Sequence, residues 1–340
     1  MRATIGSPPQ WLFEILGTAP LEEGEEVVLA GRRFRLKEGV IRALTAMSDA
    51  QAQTSEAFGF KWAKRETFES DAVRRRSRDW LIERYGEVED ASWWSDYDEP
   101  PLVVDAGCGA ALSALELFGA RLSRIRYLGV DVSDSVDVAA RRFAERGYPA
   151  AFMQADITDP PLADASVDVI FSEGVLHHTD STEGSLSRLA RLLVPGGRFL
   201  FYVYRRKGPI REFTDDYIRD LIQHMTPDEA WEALMPLTKL GKALGELEVE
   251  IDVPEDVDLL GIPAGRIDVQ RLFYWHVLKA YYRPDYDLGE LNHITYDWYA
   301  PRNAHRQTVE DVRTWCADAG LTIERENVQE AGITVVARKD

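Results

Sequence analysis

Residues 102–111, LVVDAGCGAA, constrain the fold more than any other stretch of the chain. A short apolar run (Leu102, Val103, Val104) meets an acid, Asp105, and then a loop of Gly and Ala. Beyond it the apolar spacing lengthens to Leu112, Leu115, Leu117 and Phe118. That change of period predicts a buried strand, a tight turn and a helix start. Gly107 and Gly109 supply the turn dihedrals and let the backbone come close to a ligand at the helix N-terminus. A second strand pattern, 127–130, ends in Asp131, twenty-two residues beyond Gly109. An acid at that distance sits at the tip of the neighbouring strand, where it accepts hydrogen bonds from a ribose. A nucleotide-like ligand is the first expectation.

A dinucleotide loop wants a third Gly for close helix packing, and here that position is Leu112. Further strand patterns follow at 151–155, 167–171 and 199–203, the first ending in Asp156, the second leading into SEGVLHHT, the third preceded by LVPGGR. The ordered series DAGCG, GVDVS, QADI, DVIFSEGVLHH and LVPGGR, within 100–204, resembles the class I, Rossmann-like S-adenosylmethionine-dependent methyltransferases. The resemblance implies an α/β fold: a doubly wound, mostly parallel seven-stranded sheet whose last strand is antiparallel. It implies S-adenosylmethionine as cofactor. Asp131, with Val132 beside it, then takes the ribose, and Asp156 with Ile157 holds the adenine. Gly107 and Gly109 admit the methionine part, whose ammonium finds an acceptor in loop carbonyls or Asp105. Glu173, at the end of the fourth strand, is expected at the same end of the ligand.

The chain has 340 residues, 45% hydrophobic and 29% charged, an ordinary globular composition with enough apolar material for one large or two modest domains. Its net charge of -18 repels phosphate backbones, and no basic stripe offsets it, so a nucleic-acid partner is disfavoured. Arg74, Arg75 and Arg76 are flanked by Glu69, Asp71 and Asp79 and read as a solvated helix face. Of the two cysteines, Cys108 lies in the glycine loop, where a disulfide is awkward, which points to a reduced, cytoplasmic protein. No secretory pattern and no run of membrane-spanning length are expected.

Five stretches are expected. Residues 1–46 read as a small separate unit, with a short helix at 11–16 and a hairpin over 27–36. It looks like the zinc-ribbon-derived unit that precedes some bacterial methyltransferases, but no Cys or His stands at the matching positions, so no metal is expected. Its role would be structural or dimerising, the latter giving a homodimer. Residues 47–99 form a helical linker or lid, in which Phe58, Phe60 and Trp62 either cover the cofactor or wedge the N-terminal unit onto the sheet. A helix is read from Glu69 to Tyr85, with Phe68, Ala72, Trp80 and Leu81 on its apolar side. The cofactor-binding core covers 100–204. A helical cap covers 205–307, with helices at 215–225, 227–247 and 268–282. Residues 308–340 supply a last helix, opened by a capping box at 308–311, and the final two strands.

Methyl transfer to a hydroxyl needs alignment, exclusion of water and a base. His177 and His178 follow the fourth strand and are the first base candidates, the alternative being that they brace the loop. Residues 292–306 read as a loop rich in polar aromatics and charges, from which Asp297 with His305 offers a second base. Tyr204, Arg211, Tyr296, Tyr299 and Arg302 are candidate acceptor-binding groups. Asp215, Asp216, Arg219, Arg266 and Arg271 either serve a polyhydroxylated or carboxylated acceptor or pair between helices. The expected reaction is O-methylation of a small polar molecule, a sugar or natural-product intermediate. Methylation of nitrogen or a carboxylate is the alternative, and a cofactor-binding regulatory pseudoenzyme is the alternative of another class.

Overall fold

The computed structural model describes residues 6–44, 48–64, 70–98 and 100–340. Phe68 and Glu69, expected on a helix, lie outside the described residues. In chain order come α1 (Gln10–Leu16), β1 (Glu26–Leu29), β2 (Arg32–Lys37), β3 (Val40–Ala43), α2 (Asp49–Ala63) and α3 (Asp71–Tyr85). The central part alternates: β4 (Leu102–Ala106), α4 (Leu112–Phe118), β5 (Arg126–Asp131), α5 (Ser135–Arg146), β6 (Ala150–Gln154), β7 (Val167–Glu173), α6 (Thr182–Leu192) and β8 (Leu193–Tyr204). An insertion follows: α7 (Pro209–Ile222), α8 (Pro227–Gly245), β9 (Glu250–Val253), β10 (Gly265–Asp268), α9 (Val269–His276) and α10 (Leu288–Tyr299). The chain ends with α11 (Val309–Asp318), β11 (Leu321–Val328) and β12 (Gly332–Lys339).

The large sheet has ten strands in the order β1-β2-β3-β6-β5-β4-β7-β8-β12-β11, against an expectation of seven. The additional three come from the N-terminal region, which does not stand apart. β3 pairs parallel with β6 (Ile41 opposite Met153, Arg42 opposite Gln154), and Arg42 also ties to Asp137 at 2.6 Å. The reason is a covered edge: without β3, β6 would present unpaired backbone groups to water, and Val40 and Ile41 are fully buried where they cover it.

From β6 to β8 every pairing is parallel, and β12 enters antiparallel between β8 and β11. Strands such as β4, buried at every residue, read as continuous apolar runs because both faces are packed. One face carries a cluster with Leu81 and Tyr85 of α3, Ala114 of α4, Phe143 of α5 and Trp231 of α8. The other packs Leu12 and Phe13 of α1, Leu186 of α6 and Val312 of α11. From β4 the chain winds one way through β5 and β6 and then returns to lay β7 and β8 on the other side. The carboxyl ends of β4 and β7 therefore flank a topological switch point, where open α/β sheets bind ligands.

Candidate active site

A cavity of about 810 Å³ opens at that switch point. After β4 the chain turns through Gly107 (φ 85°) and Gly109 (φ 50°), left-handed conformations that glycine adopts without strain. Both are also closely packed: a Cβ on Gly107 would stand 2.2 Å from Val175, and one on Gly109 2.8 Å from the indole nitrogen of Trp62. The Gly109 amide donates to Oδ2 of Asp131 at 2.8 Å. Oδ1 of Asp131 accepts from the amide and hydroxyl of Ser133 (2.9 and 2.6 Å) and from the Ser135 hydroxyl at 3.2 Å. Oδ2 thus retains a lone pair, and Asp131 lines the cavity.

On the next strand, Oδ1 of Asp156 accepts from the amide and hydroxyl of Thr158, each at 2.8 Å. Its other oxygen meets no protein donor among the described residues. Val132, Ile157 and Leu112 add an apolar wall beside it. Asp105 is buried behind the loop and accepts from the Tyr127 phenol at 2.5 Å. Burial pushes its carboxyl up to about 7, the Tyr127 bond opposing and the charges of Asp131 and Glu173 adding to the rise. Glu173 lines the same cavity, with Arg84 on one oxygen and the Tyr85 phenol on the other at 2.5 Å.

Of the aromatic residues on α2, Phe58 and Trp62 line the cavity, while Phe60 packs on Trp231 and Tyr296. Of the base candidates, only His178 and Asp297 line it. The Nδ1 of His178 sits 2.5 Å from the carbonyl of Asn303. A carbonyl only accepts, so the proton is on Nδ1 and Nε2 carries the lone pair. Burial pulls this imidazole down to about 4, the Asn303 bond and Asp297 opposing. By imidazole ¹⁵N NMR, His178 is expected to remain the neutral Nδ1–H tautomer at every pH above about 5. A midpoint between 6 and 7 would reject the burial that sets this state.

Several expected groups lie elsewhere. His177 is completely buried, its ring 3.7 Å from that of Tyr204, with neither nitrogen hydrogen-bonded among the described residues. Burial, then the neighbouring His178, pulls it well below the usual histidine range. It packs in the core and does not line the cavity. His305 donates from Nε2 to the carbonyl of Thr179 at 3.1 Å and, with Arg302, faces a separate hollow of about 520 Å³. No Asp297–His305 pair forms. The carboxylate of Asp297 is held instead by Lys61. Burial would raise its pKa, but Lys61 and then Lys279 keep it well below the usual range.

The region read as a loop is mostly α10. Asp287 and Glu290 close a capping box at its start, and Leu291, Thr295 and Trp298 turn inward at helical spacing. That helix buries Tyr296 against Phe60 and Trp231, and Tyr299, whose phenol donates to Asp215 at 2.8 Å. Neither lines the large cavity. Tyr204 and Arg211 do, although Arg211 is also committed to Asp215 one turn along α7 and to the Tyr274 carbonyl. The helix expected over 268–282 stops at His276, and the following irregular segment brings Lys279 to the cavity. Lys61, Lys207 and Lys279 leave no mark in the sequence: the neighbours of Lys61 are aromatic, and Lys207 and Lys279 carry no pattern that marks them as buried.

Residues 104–201 match the family described as a methyltransferase domain. An uncharacterized methyltransferase of Mycobacterium tuberculosis is 41% identical over 97 residues, covering 28% of this chain and 46% of that protein. The malonyl-[acyl-carrier protein] O-methyltransferase of Serratia marcescens is 28% identical over 149 residues, 44% of this chain and 54% of that one. The chain thus spans about half the length of these curated relatives. Among solved structures, the 1,6-didemethyltoxoflavin-N1-methyltransferase of Burkholderia thailandensis aligns over 94% of this chain and 99% of its own, with 16% identity and a TM-score of 0.44.

Proposed function

We propose that the chain is an S-adenosylmethionine-dependent methyltransferase that methylates an oxygen of a small polar acceptor. One observation carries the reading: two carboxylates with spare acceptor capacity, Asp131 and Asp156, stand after adjacent strands beside the glycine turn and share one cavity with it. That donor and acceptor set fits an adenosine. Oδ2 of Asp131 takes a ribose hydroxyl, and the unpartnered oxygen of Asp156 takes the exocyclic amine. Val132, Ile157 and Leu112 cover the base. The loop holds no extended row of free amides for a diphosphate, since the Gly107 and Cys108 amides are spent on the Val130 carbonyl and that of Gly109 on Asp131.

The bound cofactor supplies an electrophilic methyl group on a positively charged sulfur. Phe58 and Trp62 of α2 help keep water out. Nε2 of His178 is the proton acceptor for an acceptor hydroxyl. Because that nitrogen is a weak base, an oxygen already low in proton affinity is favoured, and this gives the carboxylate reading specific support.

Calorimetry tests the cofactor reading. S-adenosylhomocysteine is expected to bind saturably and reduced nicotinamide dinucleotide not to bind. Asp105 adds a signature. A cation placed beside it draws its pKa down from about 7, so binding at pH 6 releases protons and affinity rises with pH up to neutrality. Heats measured in phosphate and in Bis-Tris at pH 6 should therefore differ, and heats in phosphate and in Tris should come close together at pH 8, where Asp105 is ionised before the ligand arrives. Saturable dinucleotide binding would overturn the reading, and identical heats at pH 6 would remove Asp105 from the ammonium. Accumulation of the demethylated cofactor with an acceptor separates an enzyme from a regulatory binder.

A further inference from the structure

The wall that the insertion gives to the cavity is unlike the rest of this acidic chain. Three of its cations, Lys207, Arg211 and Lys279, stand within about 6 Å of the centre of the Trp298 ring, at 5.9, 5.2 and 4.3 Å. Arg219 approaches the same ring at 5.4 Å but lines the smaller hollow. Three of the nearby carboxylates are already taken, and a fourth, Glu330, lies beside Lys207 with Arg205 3.9 Å away. Asp215 pairs with Arg211, Asp216 with Arg219 and Arg306, and Asp297 with Lys61. Neither Lys207 nor Lys279 has a carboxylate within ion-pair distance among the described residues. Lys207 donates to the carbonyls of Glu330 and Ala331. Among the described residues the ammonium of Lys279 has no hydrogen-bond partner, although the residue is only 9% exposed and lines the cavity.

We infer that the acceptor is an anion, whose carboxylate or phosphate group docks between Lys279 and Lys207 over the Trp298 ring. This rests on the methyltransferase reading only for the word acceptor. A lysine whose stem is buried and whose ammonium meets the cavity without a counter-charge is costly and persists where something else requires it. Burial pulls both amines down to about 7, Asp297 supporting the charge on Lys279 and Arg211 opposing it on both. An arriving anion restores the charge and supplies the missing partner, so the site favours ligands that carry one. A neutral acceptor of the same shape would leave the Lys279 ammonium without a polar partner and Lys207 without a counter-charge, and discrimination against it follows. The aromatic neighbours Tyr274, Trp275 and Trp298 give the body of the acceptor an apolar, flat-walled seat.

The test uses matched probes on the full chain saturated with S-adenosylhomocysteine: benzoate against benzamide, naphthoate against naphthamide, glucuronate against glucuronamide, and glucose 6-phosphate against glucose. At least one anion is expected to bind tenfold or more tightly than its neutral partner at pH 6.5. Preference within the acid–amide pairs identifies a carboxylate, and preference confined to the sugar phosphate identifies a phosphate. Lys279→Met should bring the ratio within twofold of unity, and Lys279→Arg should preserve it. Binding of S-adenosylhomocysteine to the same variants reports whether they fold. If no anion outcompetes its neutral partner, or if Lys279→Met keeps the preference, the proposal is wrong. If S-adenosylhomocysteine itself fails to bind while the anion preference appears in the protein alone, the cofactor reading falls and this one stands.

Discussion

Asp131→Ala is expected to weaken S-adenosylhomocysteine binding by about a hundredfold or more. The side chain has two duties, and the substitution removes both. It holds the rim in shape, since Oδ2 fixes the Gly109 amide at 2.8 Å and Oδ1 gathers Ser133 and Ser135. It also offers the ribose its acceptor. Hydrogen bonds to a charged group contribute about 1.5–3 kcal/mol each, so losing the ribose contact at Oδ2 together with the support of the rim accounts for the predicted change. Asp131→Asn should fall between, because its carbonyl still accepts from one side while its amide cannot accept from Gly109. Calorimetric titration, with circular dichroism as the check on folding, gives the answer. A loss below tenfold in the alanine variant would mean that the ribose is held elsewhere.

The parts of the site that the sequence made legible are those fixed by backbone. Gly107 and Gly109 are required by dihedral angle and close approach, and Asp131 and Asp156 by their position at strand ends. Such constraints leave a mark at fixed spacing. The misread parts are those fixed by tertiary packing. Polar aromatics between 292 and 299 looked like a loop because α10 is buried nearly all round, which dilutes the two-sided pattern of an ordinary helix. Tyr296 and Tyr299 are polar by composition, yet they serve as core because Asp215 and neighbouring rings satisfy them. The N-terminal hairpin resembled a separate unit because nothing local says that β3 will complete an edge more than a hundred residues away. The two histidines after β7 differ only in which way a short turn aims them, and that turn sends His178 to the cavity and His177 into the core.

Glu173→Leu is expected to destabilise the fold by about 3–5 kcal/mol, lowering Tm by roughly 5 °C. Arg84 is 1% exposed and clasped between the rings of Trp80 and Tyr202, 3.3 and 4.1 Å from their centres. Its Nε and Nη1 have no hydrogen-bond partner, so Glu173 is the carboxylate that neutralises it among the described residues. Removing that carboxylate strands a buried guanidinium, and the Tyr85 phenol loses its acceptor as well. The double variant Arg84→Met, Glu173→Leu leaves no unpaired charge and should recover most of the lost stability, as buried pairs replaced by apolar groups do. This recovery separates two roles that Glu173 can hold at the cavity. If it also contacts the cofactor, the double variant will be stable and still bind S-adenosylhomocysteine at least tenfold more weakly. If it serves Arg84 alone, affinity will return with stability. A single Glu173→Leu variant that melts within 1 °C of the unaltered protein would show that the guanidinium finds water or another acceptor, and that the rings alone suffice to hold it.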